Sequence, residues 1–360
     1  MKSSNSTPLL FQAESLRHFC NEAFTRSGLS ENDAQLLSKA LVTAELRGVD
    51  THGVARTPAY ARGFLQGNLN PTPVPRIVAE YGAVARIDGD NGIGHLLAQH
   101  AMHQAIARAS KYGVGQIAVK NTNHTGMLAF HSMLALGVDM IGFVTSNGPA
   151  TTAAWGGKRA DLGNNPLSYA IPAGKELPIV LDLATSAAAR GKIRIAAQRG
   201  ESIPLGWALD AKGSPTTDAH AAMKGITLPF GGHKGYGLGI VVEVLSAALS
   251  GALLSAQVSK AFLQEGARAM DSWQSGLFAM ATRIDAFLPA AEFKATVDEL
   301  IRTLKSNPPA QGFERVYVPG ELEFMLQRSR EHSGIPLSEP IFESLTSFAS
   351  ELGIAPPVPS

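Results

Sequence analysis

The segment "LRGVDTHGVART", Leu46 to Thr57, places Thr51, His52 and Arg56 close together in a chain with few charged residues. A histidine titrates near neutral pH and can pass a proton to or from a substrate oxygen. An arginine binds a carboxylate through two parallel hydrogen bonds. The spacing therefore suits acid/base chemistry beside an anion site. A solvated helix end, with Arg56 paired to Asp50, explains the same residues.

A second histidine, His124 in "NTNHTGM", follows a predicted strand directly and precedes a predicted helix. Side chains at such junctions point into crevices of a sheet protein. A third, His233, stands beside Lys234 in "PFGGHKGYGLGI", Pro229 to Ile240, where an apolar helix begins. The backbone amides that the glycines leave accessible, the N-terminus of the helix and the lysine ammonium would together bind phosphate well. A close-packed helix start is an equal alternative.

Familiar catalytic signatures are missing. The sequence has no G-x-S-x-G, H-E-x-x-H, Walker A or Cys-x-x-Cys motif. The glycines of "GDNGIG", residues 89–94, lack the dinucleotide spacing, and no acidic residue follows at the required distance, so we expect a tight turn there. His95, His100 and His103 share a predicted helix without a nearby carboxylate, and we expect no metal site.

Composition excludes several classes of protein. The 360 residues are 45% hydrophobic and 17% charged, with a net charge of +1, which predicts a folded chain without a nucleic-acid surface. One cysteine, Cys20, and no apolar leader favour a cytoplasmic protein. The apolar stretch Gly235 to Ala256 carries Glu243 at its centre, so a buried helix with an inward carboxylate is preferred to a membrane span.

The elements that would position these residues alternate along the chain. Ser30 and Asp33 predict a helix start and Gly48 its end. The next helix begins either at Thr57, with Thr57 as its cap and Pro58 in its first turn, or near Thr51. Further helices are expected after residue 94, over 128–136 and 187–198, after His233 and from Pro289 onward, with a frayed tail "APPVPS". Strands are expected at "AVARID", "GQIAVKN", "MIGFVTSN", "LSYAIP" and "PIVLDLA".

Seven segments in order resemble the malate/L-lactate dehydrogenase family, which is distinct from the Rossmann dehydrogenases. They are "RGVDTHGVAR", "NTNHTGM", "GGKRADLGNNPLSYAIP", "PIVLDLATSAAARGKI", "PLGWALDAKGSPTTD", "LPFGGHKGYGLGI" and "VYVPGE". The resemblance implies an α/β fold of the α+β type, with a non-Rossmann, largely antiparallel NAD(P)-binding sheet domain. It divides the chain into a helical domain (1–75 with 305–360), a small α/β substrate and dimer domain (76–120 with 280–304) and the sheet domain (121–279).

The resemblance also implies the activity. The protein would be an NAD(P)-dependent 2-hydroxy acid dehydrogenase that interconverts a small 2-hydroxy acid and its 2-oxo acid, with NAD or NADP as cofactor, and would form a homodimer. In family terms His52, beside Thr51, exchanges the proton, although His124 is an alternative, and Arg56 holds the carboxylate. The cofactor-contacting positions are Ser146, Asn147, Asp182, Leu183, Ala184, His233, Lys234, Gly235, Pro319, Gly320 and Glu321.

Three departures from the family pattern bear on the substrate. Asn164 stands where many members have threonine, which puts an amide near the substrate. Lys192 stands where the imine-reducing members carry a catalytic aspartate, so an imine substrate is disfavoured and Lys192 becomes a candidate catalytic group. Ser255 to Phe287 match the family least. A 2-oxo or diketo acid reductase and a catalytically silent ligand-binding homologue remain alternatives.

Overall fold

The computed structural model describes residues 8–258 and 272–360, and a helical layer contains the first and the last of these residues. Its helices are α1 (Ala13–Arg26), α2 (Glu31–Leu46), α3 (Thr57–Leu65), α10 (Glu321–Ser333) and α11 (Glu339–Leu352). Strand β1 (Leu9–Phe11) pairs antiparallel with β14 (Ile335–Leu337). Large side chains, among them Phe19, Phe24 and Phe348, fill the core between these helices and exclude water from it.

A seven-stranded sheet forms the centre of the molecule. In spatial order its strands are β2 (Arg76–Tyr81), β3 (Val84–Gly92), β4 (Val114–Thr122), β13 (Ser275–Arg283), β5 (Met140–Ser146), β8 (Leu167–Ile171) and β9 (Ile179–Leu183). Only the β3–β4 pair is parallel. Helix α4 (Gly94–Tyr112) packs its alanine-rich face on β4 and β13. The predicted antiparallel sheet is confirmed.

A smaller five-stranded sheet lies beside two helices. Its strands in spatial order are β11 (Pro215–Thr216), β10 (Ala208–Leu209), β12 (Ile226–Thr227), β6 (Thr152–Ala153) and β7 (Ala160–Leu162). Helices α6 (Arg190–Arg199) and α7 (Ala219–Met223) share an apolar cluster with it. The remaining helices are α5 (Ala129–Ser132), α8 (His233–Glu243), which continues as a π turn over Val244–Ala248, and α9 (Ala290–Lys305).

Helix ends agree with the sequence at α2 and differ at α3. Ser30 caps α2 by accepting a hydrogen bond from Asp33 N at 3.2 Å, as predicted. Helix α3 begins at Thr57 with Pro58 in its first turn, but Thr57 is not its cap. The Thr57 hydroxyl instead pairs with the Cys20 thiol at 3.3 Å, because both side chains are buried and have no water to bind.

Two other expectations need correction. The helix predicted over 128–136 is a single turn, α5, followed by a 3-10 segment, Met133–Val138. The tail predicted to be frayed returns to the helical layer, where Ser360 N donates to Leu10 O at 2.8 Å and Val358 N donates to the Ser15 hydroxyl at 3.2 Å. Backbone groups at the chain end are thereby satisfied by protein.

The central sheet runs across one of the predicted domain boundaries. Strand β13 pairs on one side with β4, most of which precedes residue 120, and on the other side with β5, which follows it. The three-domain division stays a prediction. Helix α8 directs Glu243 inward, as expected, but the helix is not buried throughout, since Leu238 and Val241 are exposed. In the described part of the chain, no helix is long and apolar enough to cross a membrane.

Candidate active site

Two short 3-10 turns between α2 and α3 carry the candidate catalytic residues. The first, Asp50–His52, brings the Thr51 hydroxyl to 2.9 Å from His52 Nδ1. The second, Val54–Arg56, ends where α3 begins, and Arg56 Nε donates to Thr51 O at 2.8 Å. Asp50 pairs with Arg330 at 2.8 Å, a partner that the sequence did not identify. We call residues 50–56 the catalytic turn.

The structure brings His124 to the catalytic turn. Its ring stacks on His52, with ring centroids 5.3 Å apart and planes inclined by 20°. His124 follows β4 directly, and its neighbour Asn123 fixes this junction by donating to Gly92 O at 3.1 Å and accepting from Trp273 N at 2.7 Å. The two histidines predicted from separate motifs, about seventy residues apart in the chain, therefore face one site.

Three further aromatic side chains extend this histidine pair into the core. Tyr60 Oη lies 2.5 Å from His124 Nδ1. His95 packs edge-on against His124 at 6.1 Å, and His131 against His95 at 6.2 Å. We call His52, His124, Tyr60, His95 and His131 the histidine cluster.

Sequence reasoning did not assign the inner members of the histidine cluster to the site. Tyr60 lies four residues after Arg56, so helical spacing on α3 was an available signal. His95 was expected to be a core or solvated histidine, and it is a core residue, 2% exposed. Its approach to His124 depends on long-range packing that no local pattern reports.

The histidines of this cluster are uncharged at neutral pH. Burial, with the positive charge of Arg56 adding to it, lowers the pKa of His52 to about 4. Burial lowers the pKa of His124 and of His95 well below the usual value, and that of His131 to about 4. Burial also raises the pKa of Tyr60, so its hydroxyl keeps its proton. Unprotonated imidazoles can accept a proton from an alcohol.

Asp182 lies at the end of β9, near the start of α5. Its carboxylate accepts a hydrogen bond from Ala129 N at 2.7 Å, so it does not cap a helix at Thr185 or Ser186, the alternative considered from the sequence. The residue is exposed to solvent. Desolvation by the surrounding protein, with the charge of Glu323 adding to it, raises the pKa of Asp182 to about 7. The Ala129 amide and the charge of Arg47 oppose this rise. Leu183 and Ala184, which follow it, are partly exposed.

The glycine-rich start of α8 fits a phosphate group. Gly231 and Gly232 adopt positive φ angles of 55° and 64°, which glycine tolerates best. His233 and Lys234 are exposed in the first turn, where helix amides have no partner within the helix. A methyl group on Gly235 would lie 2.1 Å from Phe230 O, so this turn is also tightly packed. The structure shows the close-packed helix start, and phosphate binding by this turn stays a prediction.

The segment Pro319–Gly320 lies against β9, the strand that ends near Asp182. Val180 N donates to Pro319 O at 2.9 Å, and a methyl group on Gly320 would lie 2.8 Å from Val180 Cβ. The next residue, Glu321, is buried and forms ion pairs with Lys305 at 2.9 Å and Arg315 at 3.1 Å. Its carboxylate is thus engaged by the protein itself.

Two of the predicted cofactor residues have buried side chains at the end of β5. Ser146 is 7% exposed at the end of β5. Asn147 accepts from Gly276 N at 2.8 Å and donates to Leu253 O at 3.0 Å. Glu243 on α8 accepts from Asn165 Nδ2 and from the Ser255 hydroxyl, each at 2.7 Å. These side chains fix the loops that surround the glycine-rich helix start.

The two positions that depart from the family pattern are both solvent-exposed. The side chain of Asn164 faces solvent, while its carbonyl accepts from Thr185 N at 2.8 Å. Lys192 is exposed on the first turn of α6. This turn approaches the catalytic turn, because a methyl group on Gly191 would lie 3.6 Å from Thr51 Cγ2. Among residues 8–258 and 272–360, no group of three or more His, Cys, Asp or Glu side chains could hold a metal ion.

Comparison with known proteins places this site in a family. The family model described as malate/L-lactate dehydrogenase matches residues 11–346. The L-sulfolactate dehydrogenase of Methanocaldococcus jannaschii is 37% identical over 96% of this chain and 98% of its own. The ureidoglycolate dehydrogenase (NAD(+)) of Escherichia coli O157:H7 is 30% identical over 93% and 95% of the two chains. The structure of malate dehydrogenase from Pyrococcus horikoshii OT3 aligns with a TM-score of 0.88 at 31% identity, covering 99% of this chain and 100% of that one.

The chain therefore belongs to the malate/L-lactate dehydrogenase family. The predicted fold, a non-Rossmann arrangement of mixed α/β type with largely antiparallel sheets, is confirmed by the structural match. Family membership also confirms the predicted class of enzyme, an NAD(P)-dependent hydroxy acid dehydrogenase. The substrate and the roles of individual residues do not follow from membership.

Proposed function

We propose that this enzyme interconverts a small 2-hydroxy acid and its 2-oxo acid, with His52 exchanging the proton and Arg56 binding the carboxylate. The observation that carries the proposal is the stack of His52 on His124 beside Arg56, in a pocket whose histidines are uncharged at neutral pH. A neutral imidazole accepts the hydroxyl proton during oxidation, and a guanidinium a few residues away matches a planar carboxylate.

The hydrogen bonds of His52 and His124 support different catalytic roles for the two histidines. Tyr60 is fully buried and keeps its proton, so its hydroxyl donates to His124 Nδ1. In neutral His124 the ring proton then resides on Nε2, which can donate a hydrogen bond to the substrate oxygen but cannot accept a proton. The proposal requires that His52 Nδ1–H donates to the Thr51 hydroxyl, the tautomer in which Nε2 is left to accept the proton. We assign the base role to His52 and oxygen stabilisation to His124.

Substrate binding would adjust the pKa of the base. The positive charge of Arg56 is one of the two causes that hold the pKa of His52 low. A substrate carboxylate bound to Arg56 neutralises that charge, so the pKa of His52 rises when substrate is present. A higher pKa makes His52 a better proton acceptor for oxidation and a more available donor for reduction. Only the bound state of the enzyme gains this advantage.

The cofactor, NAD or NADP, supplies the hydride acceptor or donor when bound. The amides of His233 and Lys234 and the Lys234 ammonium would hold its pyrophosphate, while the Gly235 amide donates to Phe230 O and keeps this turn in place. Asp182 to Ala184, together with Pro319 and Gly320, which lie against β9, would contact the cofactor. We assign Ser146, Asn147 and Glu321 to shaping this site from behind, because their side chains already bond within the protein.

The substrate we propose carries a second anionic or polar group, as malate and sulfolactate do. Relatives covering nearly the whole chain are named malate and L-sulfolactate dehydrogenases. Lys192 and Asn164, both exposed, are the groups that we propose to contact the far end of the substrate, since the first turn of α6 approaches Thr51. With lysine rather than aspartate at position 192, an oxo acid fits better than an imine.

The assay that tests this function pairs NAD and NADP separately with malate, lactate, sulfolactate and ureidoglycolate, and the reduced cofactors with the matching 2-oxo acids. Absorbance of the reduced nicotinamide reports each reaction. We expect turnover with one acid in both directions, and the faster direction separates a dehydrogenase from a physiological reductase. Cofactor binding without turnover on any acid would instead identify a silent ligand-binding homologue.

We also propose a cytoplasmic homodimer, as the family resemblance implies. Along α8 and its continuation, Leu238, Val241 and Leu249 are 41%, 52% and 53% exposed. Their spacing places them along one side of the helix, and an apolar stripe of this kind is typical of a protein interface. Light scattering of the purified protein should give a dimer, and Val241→Glu should shift the mass toward the monomer. A monomeric wild-type protein would contradict this proposal.

A further inference from the structure

A buried carboxyl group lies directly beneath the catalytic turn. Glu45, in the last turn of α2, is 1% exposed. The carboxyl end of a helix carries partial negative charge, so an acidic side chain there is unfavourable. Burial adds a desolvation cost. A glutamate in this position must therefore be compensated by its contacts.

The contacts of Glu45 reach the middle of the catalytic turn. Glu45 Oε1 accepts a hydrogen bond from Val54 N at 2.9 Å. Val54 lies two residues after His52 and two before Arg56. A methyl group on Gly53 would lie only 2.0 Å from Glu45 Oε1, so a glycine is required for the turn to approach the carboxyl group this closely.

A second link joins the same turn to α10. Arg330 Nη1 donates both to the backbone carbonyl of Glu45 and, at 2.8 Å, to Asp50 Oδ1. Asp50 is the first residue of the catalytic turn. One guanidinium thus holds the end of α2 and the start of the turn together. Helix α10 begins immediately after Gly320, the residue that packs on β9.

Glu45 is largely protonated at neutral pH. Burial, with the charge of Asp50 adding to it, raises the pKa of Glu45 to about 8, and the Val54 amide and Arg330 oppose this rise only in part. A neutral carboxyl group still accepts from Val54 N without leaving an uncompensated charge in the core. A glutamine has the same shape and the same acceptor, so it can reproduce this state.

We propose that Glu45 is a positioning residue of the active site, which holds the backbone between His52 and Arg56 through Val54 while Arg330 holds the turn from its other side. The inference rests on the proposed function, because His52 and Arg56 are the groups that it positions. Glu45 itself does not contact the substrate. Its effect is to keep the acid/base and the anion site at a fixed separation.

The test compares Glu45→Gln with Glu45→Ala, and uses Glu299→Ala on the exposed face of α9 as the control. We expect Glu45→Ala to lower kcat/KM by about 10-fold to 100-fold, with both kcat and KM affected, since small displacements of reacting groups are costly. Glu45→Gln should stay within about threefold of wild type because the Val54 hydrogen bond is kept. Unchanged kcat and KM in Glu45→Ala, or equal damage in both variants, overturns the proposal.

Gly53→Ala provides a test that does not depend on how well one variant folds. The added methyl group collides with Glu45, so this substitution should be harmful alone and clearly less harmful in the Glu45→Ala background. Kinetics are measured at a temperature where circular dichroism shows every variant to be folded. Additive effects of the two substitutions would show that the carboxyl group does not control the turn.

Hydrogen exchange separates failure of this inference from failure of the proposed function. Exchange of the peptide covering residues 50–58 requires no turnover. It should accelerate in Glu45→Ala and remain near wild type in Glu45→Gln, while the peptide covering α9 exchanges at the same rate in all variants. If the wild-type enzyme oxidises no hydroxy acid but exchange follows this pattern, the function is wrong and the positioning role stands. Equal exchange in both Glu45 variants refutes the positioning role, whatever the activity.

Discussion

The catalytic turn and the start of α8 contain the same kinds of residue in the sequence, but the side chains of the two segments have different environments in the structure. Each stretch offers a histidine, a cation and glycines. At the catalytic turn the histidine is enclosed and stacked on His124, and its pKa falls to about 4. At α8 the side chains of His233 and Lys234 remain exposed at the start of the helix, and the Gly235 amide donates to Phe230 O at 3.1 Å.

The difference shows what each task requires from the fold. Proton transfer depends on the pKa of one side chain, and the fold controls that pKa by burial and neighbouring charge. Phosphate binding depends on the direction of amides and on an accessible cation, which an open helix start supplies without burial. Substitutions in the catalytic turn should therefore change the rate strongly, and substitutions at α8 should change cofactor affinity modestly.

The largest effect is expected for His52→Ala. Loss of the proton acceptor should lower kcat by about 100-fold to 10,000-fold while cofactor binding is retained. Steady-state rates and a fluorescence titration with reduced cofactor measure the two quantities. His18→Ala, an exposed histidine on α1, is the matched control and should behave as wild type. Normal turnover in His52→Ala would transfer the base role to His124.

Arg56→Lys should mainly raise the KM of the acid, by about 10-fold to 100-fold. Lysine keeps the positive charge but cannot form two parallel hydrogen bonds to a carboxylate. The KM for cofactor should be unaffected, which distinguishes the anion site of the catalytic turn from the one at α8. Arg26→Lys on α1 serves as control. An unchanged KM for every active acid would remove Arg56 from the substrate site.

Acid should destabilise the protein through the histidine cluster. The pKa values of His52 and His131 are about 4 in the folded protein and about 6.5 when unfolded, so the unfolded chain binds more protons as the pH falls between these values. Their contribution to stability is complete above pH 6.5 and declines toward pH 4, by about 1 to 2 kcal/mol per histidine at pH 5. Urea unfolding at pH 7 and pH 5 measures it. His52→Gln should lose less stability than wild type over this interval, and an equal loss would contradict the assignment.

The smallest effect is expected at α8. Lys234→Gln should weaken binding of the reduced cofactor by about twofold to fivefold, because the helix amides remain and only one exposed charge is lost. The effect should shrink at high salt. Lys212→Gln, which removes an exposed lysine elsewhere, controls for net charge. A loss of more than about 100-fold would mean that α8 relies on its side chain as strongly as the catalytic turn does.

Much of the fold could be predicted because local patterns determine it. The strands β4, β5, β8 and β9 are short apolar runs closed by polar residues, and the cap of α2 follows from two side chains. The short α5 could not be predicted in the same way. Its sequence has helical spacing, but the chain tightens into a 3-10 segment where it packs against β5 and β8.

In the active site, too, local sequence motifs identified some residues, and others became evident only from long-range contacts. The sequence identified His52, Arg56 and His124 from local motifs and the family resemblance, and the structure brings them together. His95 and Glu45 could not be assigned, because their importance comes from contacts with residues outside their own segments. For Tyr60 the spacing from Arg56 was the one local signal, and its contact with His124 is seen only in the structure. Asn147 and Glu321 match family positions, but only the structure shows that their side chains bond within the protein.

The position of β13 in the central sheet has a consequence for folding. This strand lies between β4 and β5, and it pairs Leu277 with Val119 and with Ser146. During synthesis, the edges of β4 and β5 that pair with β13 therefore stay unpaired until more than a hundred further residues have been translated. Such distant pairing slows folding. A chain interrupted before Ser275 would lack the middle of its sheet and would be expected to aggregate, even though the histidine pair and Arg56 had already been made.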